Sequence, residues 1–191
     1  MQRLKDGNER FIAGTTRFSP VQKEVLADLA KGQQPYATIL SCSDSRVPPE
    51  FVFDAGFGDL FIVRVAGNVL SPEVGGSFQY AFQHLRTPLF VVLGHTGCGA
   101  VSAALETRMR GTQQLSRIQI LVDDILPGLA GLDLELNPEA MLAQAVEANV
   151  RWSIRQIRET PEGREYKEQG RVKLVGAIYE IETGRVRFLE E

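Results

Sequence analysis

Leu89-Phe90-Val91-Val92-Leu93-Gly94-His95-Thr96-Gly97-Cys98-Gly99 decides how this chain is read. Five apolar residues in a row, closed by Gly94, have the length and composition of a strand buried on both faces. Such a strand belongs to a parallel sheet covered by helices, and Gly99 opens a helical pattern that runs to about residue 109. The same plan occurs earlier. Tyr36-Ala37-Thr38-Ile39-Leu40 reads as a second buried strand and leads into Cys42-Ser43-Asp44-Ser45-Arg46. In an open parallel sheet, ligands bind outside the carboxyl ends of the strands. Both cysteines of the chain and His95 are therefore expected at one edge of one sheet.

On either side of these segments, strand and helix patterns alternate. Residues 60–66 read as a strand and 74–85 as a helix; 48–53 is a short helical piece. Helical periodicity covers 115–126 and 138–159, punctuated by Pro127-Gly128 and Asn137-Pro138. Residues 172–181 and 186–189 form a strand pair around Thr183-Gly184. This alternation implies right-handed crossovers and an α/β fold. It predicts a mostly parallel central sheet of four strands, an antiparallel edge strand and helices on both faces. Upstream, 4–13 and 20–31 read as amphipathic helices split by Gly14-Thr15-Thr16. The second has Ser19 as N-cap, Pro20 at its first position and Gly32 as a stop. This helix pair precedes the first strand and has no evident partner within the sheet, so it is expected to pack on another subunit. One domain over 1–191 results, with 1–34 as a helical arm and 35–191 as the α/β core.

Composition excludes several classes. Hydrophobic residues make up 43% of the 191, charged residues 24%, and the formal net charge is -3. A nucleic-acid footprint needs a basic face, which this balance does not favour. No apolar run approaches the roughly 18 residues of a membrane span. Met1-Gln2-Arg3-Leu4-Lys5 lacks the apolar centre of a signal peptide. The chain begins inside a helical pattern, so the expected compartment is the cytoplasm, or the periplasm if a leader has been removed.

Two thiols and an imidazole make three ligands, the number a catalytic zinc keeps while leaving a fourth position open. A disulfide, a redox pair or two buried core thiols are the alternatives. A chain of this length buries a sizeable core without staples, and the Cys-x-Asp-x-Arg at the other strand end favours the metal. Asp44 beside it would accept a proton from metal-bound water and orient it. Arg46 would hold that carboxylate bidentately and keep it off the metal; a structural salt bridge is the plainer reading of the same pair. Two thiolates leave zinc a weaker Lewis acid than three imidazoles do. Its water is therefore expected to titrate above the value of about 7 known for a three-histidine site.

Cys42-Ser43-Asp44-Ser45-Arg46-Val47, Arg64-Val65-Ala66-Gly67-Asn68 and Gly94-His95-Thr96-Gly97-Cys98-Gly99 resemble the motifs of the β-class carbonic anhydrases. The likeness runs from Gly7-Asn8-Glu9-Arg10-Phe11 to Gly176-Ala177-Ile178-Tyr179 and the Thr183-Gly184 turn. The resemblance implies one Zn2+ per chain on Cys42, His95 and Cys98. It implies reversible hydration of carbon dioxide to bicarbonate and a proton by zinc-bound hydroxide, with an Asp44/Arg46 dyad. In a closed state Asp44 becomes the fourth ligand; protonation favours closure, so low pH should suppress activity. Gln33, with Gln34 beside it, matches a glutamine that reaches the substrate across a subunit interface. Phe61, Ala66 and Tyr80 match pocket-lining positions, although aromatics there are as often ordinary core. The Gly99 amide, at a helix start, is placed to steady a bicarbonate oxygen. The implied assembly is a homodimer or a tetramer.

Two other functions fit the same motifs. One is hydrolysis of carbon disulfide or carbonyl sulfide. The other is non-catalytic bicarbonate binding, which would be expected to damage Asp44 or Arg46, and both are intact. One departure stands out. Some members bind inhibitory bicarbonate with a Trp three positions before the first Cys; here Ile39 stands there and Trp152 is the sole tryptophan, although Arg64 and Tyr179 are present. A subclass without that inhibition is expected. For proton export, the only histidine besides His95 is His84, one turn beyond Tyr80. An exposed histidine at a helix end is the plainer reading of it.

Overall fold

The computed structural model describes residues 1–17 and 22–190, Lys167 by its backbone alone. At its centre lies one five-stranded sheet: β1 (Ala37–Ser41), β2 (Leu60–Arg64), β3 (Leu89–His95), β4 (Lys173–Tyr179) and β5 (Val186–Phe188). The spatial order is β2-β1-β3-β4-β5. β1 to β4 run parallel and β5 lies antiparallel to β4, the expected arrangement. Every residue of β1 and β3 is buried, Thr38, Ser41 and His95 included, as strands covered on both faces require. β1 has β2 on one side and β3 on the other, so the chain departs from β1 in opposite directions. The crevice between the carboxyl ends of β1 and β3 is the topological switch point of the sheet.

Alternation along the strands divides the core into two layers. Leu40, Phe90, Val92 and Ile178 face one way, beneath α4 (Pro72–Tyr80), α5 (Gly99–Arg110), α6 (Ser116–Ile125) and α7 (Pro138–Glu159). Ile39, Val91, Leu93 and Ala177 face the other, with α1 (Gln2–Ile12) and α3 (Pro49–Val52). Side-chain caps start the two helices that matter most for the centre. Ser71 accepts from the Val74 amide before α4, and Asn137 accepts from the Ala140 amide at 2.9 Å before α7, each with Pro next in line.

Three expectations need correction, and one helix lies where none was expected. The upstream helices were expected to lack a partner in the sheet, yet α1 packs on its own chain. Leu4 is wholly buried with Val52, Phe53 and Val91, and Gly7 lets the helix lie against the Phe53 carbonyl, which a Cβ would strike. Asn8 fastens it: its amide nitrogen donates to the Val52 and Gly184 carbonyls, and its oxygen accepts from the Val186 amide. The second helix, α2 (Lys23–Leu29), starts at a Gln22 N-cap and buries no residue; Ser19 and Pro20 lie outside the described residues. The helix expected over 74–85 ends as regular α-helix at Tyr80 and continues as a wider π-turn over Ala81–Leu85, closed by Arg86 in the left-handed region. Finally, α8 (Pro161–Gln169) was not foreseen, because Tyr166 is its one large apolar residue and gives no periodicity to read. The Thr160 hydroxyl accepts from the Gly163 amide at its start.

Asn8 accounts for three hydrogen bonds, two of them buried, and removing it leaves their backbone partners without replacements. Asn8→Ala is expected to lower stability by about 2–4 kcal/mol in urea unfolding followed by Trp152 fluorescence at fixed protein concentration. A change inside the noise would mean that α1 is not docked this way.

Candidate metal centre

Cys42 follows β1, His95 is the last residue of β3, and Cys98 is the N-cap of α5. Gly97 makes the turn between the last two possible, since its φ of 64° is a conformation that a side chain disfavours. All three side chains are buried, and their ligand atoms lie within 4.8 Å of one another. The two sulfurs are 4.0 Å apart and not bonded, so the disulfide alternative is set aside.

His95 shows which of its nitrogens is free. Nδ1 lies 2.9 Å from the Thr96 carbonyl oxygen, which can only accept, so Nδ1 carries the proton. Nε2, with its lone pair, is buried and has no hydrogen-bond partner among the described residues. An orphaned acceptor in a core is costly, and this one faces two thiols. Two Zn–S bonds of about 2.3 Å at a tetrahedral angle would set the sulfurs roughly 3.8 Å apart, close to the spacing seen. The donor set therefore fits a soft to borderline divalent metal.

The thiols are inequivalent. The two sulfurs share a hydrogen bond, and with the neighbouring His95 and the Gly67 amide, which donates to Cys42 at 3.3 Å, this holds Cys42 well below the usual thiol range against the effect of burial. That same bond to Cys42, with burial, pushes Cys98 up.

Asp44 stands over the trio, with Oδ2 3.9 Å from His95 Nε2. Arg46 engages both carboxylate oxygens, Nε to Oδ1 at 3.0 Å and a terminal nitrogen to Oδ2 at 2.8 Å, while its own amide also donates to Oδ1. This hydrogen bonding holds the Asp44 carboxyl far below the usual carboxylate range. Two features of the surroundings were not foreseen. Arg64 donates to the carbonyls of Cys42 and Asp44, at 3.0 and 2.6 Å, and so clamps the loop between them. The Thr96 hydroxyl donates to Glu182 and accepts from the Ile181 amide, tying the β3 end to the segment after β4. Arg64 lay in a quoted motif, but nothing in its spacing pointed to a carbonyl clamp.

The substrate-side expectations fare unequally. Gly99 is exposed at the first turn of α5, next to Cys98, and Ala66 begins the short 3-10 turn over Ala66–Asn68. Phe61 on β2 and the exposed Tyr80 form an aromatic pair 6.1 Å apart, and the His84 ring lies 5.0 Å from Tyr80, on the side expected. Gln33 and Gln34 are exposed in the segment after α2, and Gln33 makes no hydrogen bond among the described residues. No described helix is long and apolar enough to cross a membrane.

Fold and site together define an α/β protein with a buried Cys-His-Cys group at the switch point of a parallel sheet. Comparison with known proteins gives that class its family. Residues 37–186 match the family model described as "Carbonic anhydrase". The carbonic anhydrase of Mycolicibacterium smegmatis is 37% identical over 188 residues, covering 96% of this chain and 88% of that protein. Carbonic anhydrase 2 of Mycobacterium tuberculosis is 46% identical over 126 residues, 66% of this chain, and the match spans 61% of that protein's length. The crystal structure of the β-carbonic anhydrase CafA of Aspergillus fumigatus superposes with a TM-score of 0.79 at 29% identity, covering 87% of this chain and 81% of that one. This chain belongs to the carbonic anhydrase family, in its β class.

Because the Asp44 pKa is depressed in the fold, its contribution to stability is present above the unfolded value of about 3.9 and is lost as pH falls toward the folded value. In metal-free Arg46→Gln the Asp44 carboxyl carbon is expected to titrate at higher pH than in the wild type, followed by 13C NMR. An unchanged midpoint would show that the pair does not form in solution.

Proposed function

We propose that this chain catalyses the reversible hydration of carbon dioxide to bicarbonate and a proton, with one Zn2+ held by Cys42, His95 and Cys98. The observation that carries the reading is the closure of two thiols and an unpartnered imidazole nitrogen directly beneath a carboxylate that Arg46 engages. When bound, zinc supplies a Lewis acid that makes a coordinated water nucleophilic near neutral pH.

The protein's own groups do the rest. Cys42 and Cys98 enter as thiolates and His95 as the neutral tautomer fixed by the Thr96 carbonyl. The Asp44 carboxylate accepts a hydrogen bond from the attacking oxygen and so aims that oxygen's lone pair at the substrate. Arg46 occupies both oxygens of Asp44, which keeps the carboxylate from closing onto the metal as a fourth ligand. Carbon dioxide offers almost no hydrogen-bonding handle, and an apolar wall of Phe61, Ala66 and Tyr80 suits it. The Gly99 amide steadies a bicarbonate oxygen. Gln33 acts in the site of a partner subunit, consistent with its lack of a hydrogen-bond partner among the described residues, and Val25 and Leu26 of α2 are exposed as contact residues for the same homodimer. Ile39 is wholly buried where an inhibitory bicarbonate site would need an indole, so the enzyme escapes bicarbonate inhibition.

The decisive experiment is stopped-flow hydration from roughly pH 6.5 to 9, with zinc content measured on the same sample. One zinc per chain and activity that rises with pH are expected. Asp44→Asn should lose roughly a hundredfold or more in kcat/KM while keeping its zinc; Cys42→Ser should lose the zinc itself. Stoichiometric zinc with no hydration at any pH would overturn the reading in favour of a sulfur-containing substrate such as carbonyl sulfide.

A further inference from the structure

Gly67 lies where three parts of the structure meet. Its amide donates to the Cys42 sulfur, and its carbonyl accepts from Asn149 Nδ2 on α7 at 2.8 Å. On its other side a Cβ would come within 2.8 Å of Ile125 Cδ1 on α6 and 3.1 Å of Ala100 Cβ on α5. The turn takes positive φ at two successive residues, 70° at Gly67 and 46° at Asn68. Asn tolerates that region better than most side chains but not freely. Within the turn the Asn68 amide donates to the Val65 carbonyl at 2.9 Å, and α7 adds the bonds that hold the turn from outside. One helical turn beyond Asn149, the Ser153 hydroxyl donates to the Asn68 carbonyl at 3.1 Å.

These two polar residues sit on a helix face that is otherwise apolar. Val146, Val150 and Ile154 on the same face belong to the core, while Asn149 and Ser153 are 1% and 0% exposed. Burying polar groups is unfavourable unless they are bonded; Asn149 donates to the Gly67 carbonyl, and the single Ser153 hydroxyl hydrogen is shared between two carbonyls at 3.1 Å, that of Asn68 in the turn and that of Asn149 on its own helix. The helix also reaches the other ligand strand. Gly94, immediately before His95, has no Cβ to strike Val150 Cγ2, which would lie 2.6 Å away.

We propose that Asn149, supported by Ser153, is a positioning residue for Cys42: by holding the Gly67 carbonyl it aims the Gly67 amide at the sulfur that binds the metal. The amide bond fixes the direction of the sulfur lone pairs and draws charge from the thiolate. Outer-shell partners of this kind set metal affinity. The inference rests on the zinc-site reading above and adds to it a determinant outside the motifs that carry the ligands.

Cobalt(II) titration of the intact, metal-free protein tests it, because sulfur-to-cobalt charge-transfer absorption reports the thiolates directly and independently of activity. Asn149→Ala is expected to weaken cobalt binding by about tenfold to a hundredfold in chelator competition. Its charge-transfer band should move to longer wavelength, since a sulfur that loses an N–H donor holds its electrons less tightly. Ser153→Ala, a milder change, should shift affinity and band in the same direction by less. If Asn149→Ala folds but only loses thermal stability, with affinity and band unmoved, the inference is wrong. If Asn149→Ala does not fold, an unshifted Ser153→Ala overturns it equally. Wild-type protein that takes up cobalt without any sulfur band would instead defeat the zinc-site reading.

Discussion

The chain leaves β1 in two directions, to β2 on one side and through β2 and α4 to β3 on the other, and the crevice this opens is the constraint on which the rest depends. No crossover helix can cover the carboxyl ends of β1 and β3 at that point, so the sheet offers a gap bordered by two strand ends. What fills it must come from the residues just beyond the strands. Cys42 and the His95-Cys98 turn are those residues, and the register that sets Ser41 beside Leu93 brings them level. The trio is therefore a consequence of strand order as much as of ligand identity.

Filling the gap with thiols, an imidazole and a carboxylate creates an electrostatic problem in a buried place. The structure answers it with a set of oriented donors. Arg46 balances Asp44 from the solvent side, Arg64 caps the carbonyls of the same loop, and the Gly67 amide faces the Cys42 sulfur. The Thr96 carbonyl fixes the imidazole proton on the far side of the ring. Each donor comes from a different segment, and backbone groups carry much of the load. Directions set by backbone are stiff, which suits a site whose geometry must not relax when charge moves through it.

The parts legible in the sequence were those with a local signature. β3 announced itself as an unbroken run of five apolar residues and β1 as a mostly apolar, β-branched stretch, and the residues after them could be placed at one sheet edge from the parallel topology alone. The Asp44/Arg46 pair was legible because two residues of spacing bring both into one loop. What stayed hidden depends on contacts between distant segments. Asn149 and Ser153 look like any polar residues on a long helix; only the fold turns them toward Gly67. The docking of α1 was missed because Leu4, Gly7 and Asn8 form too short a stripe to say what they face. α8 escaped notice because its stability comes from caps and from Tyr166 packed against Phe82 and Phe90, not from a pattern along its length.

Asn8 joins an early helix to the hairpin that contains Gly184 and Val186, some 176 residues further along the chain. During synthesis α1 emerges from the ribosome long before two of the three backbone groups that anchor Asn8 exist. Val52, Phe53 and Val91 can cover Leu4 once they are made, but two of the three bonds of Asn8 wait until Gly184 and Val186 exist and β5 has paired with β4. Contacts of such long range form late and slowly. The last fastening of α1 thus waits on the far end of the sheet, which makes completion of the β4–β5 hairpin the step that locks the helix in place.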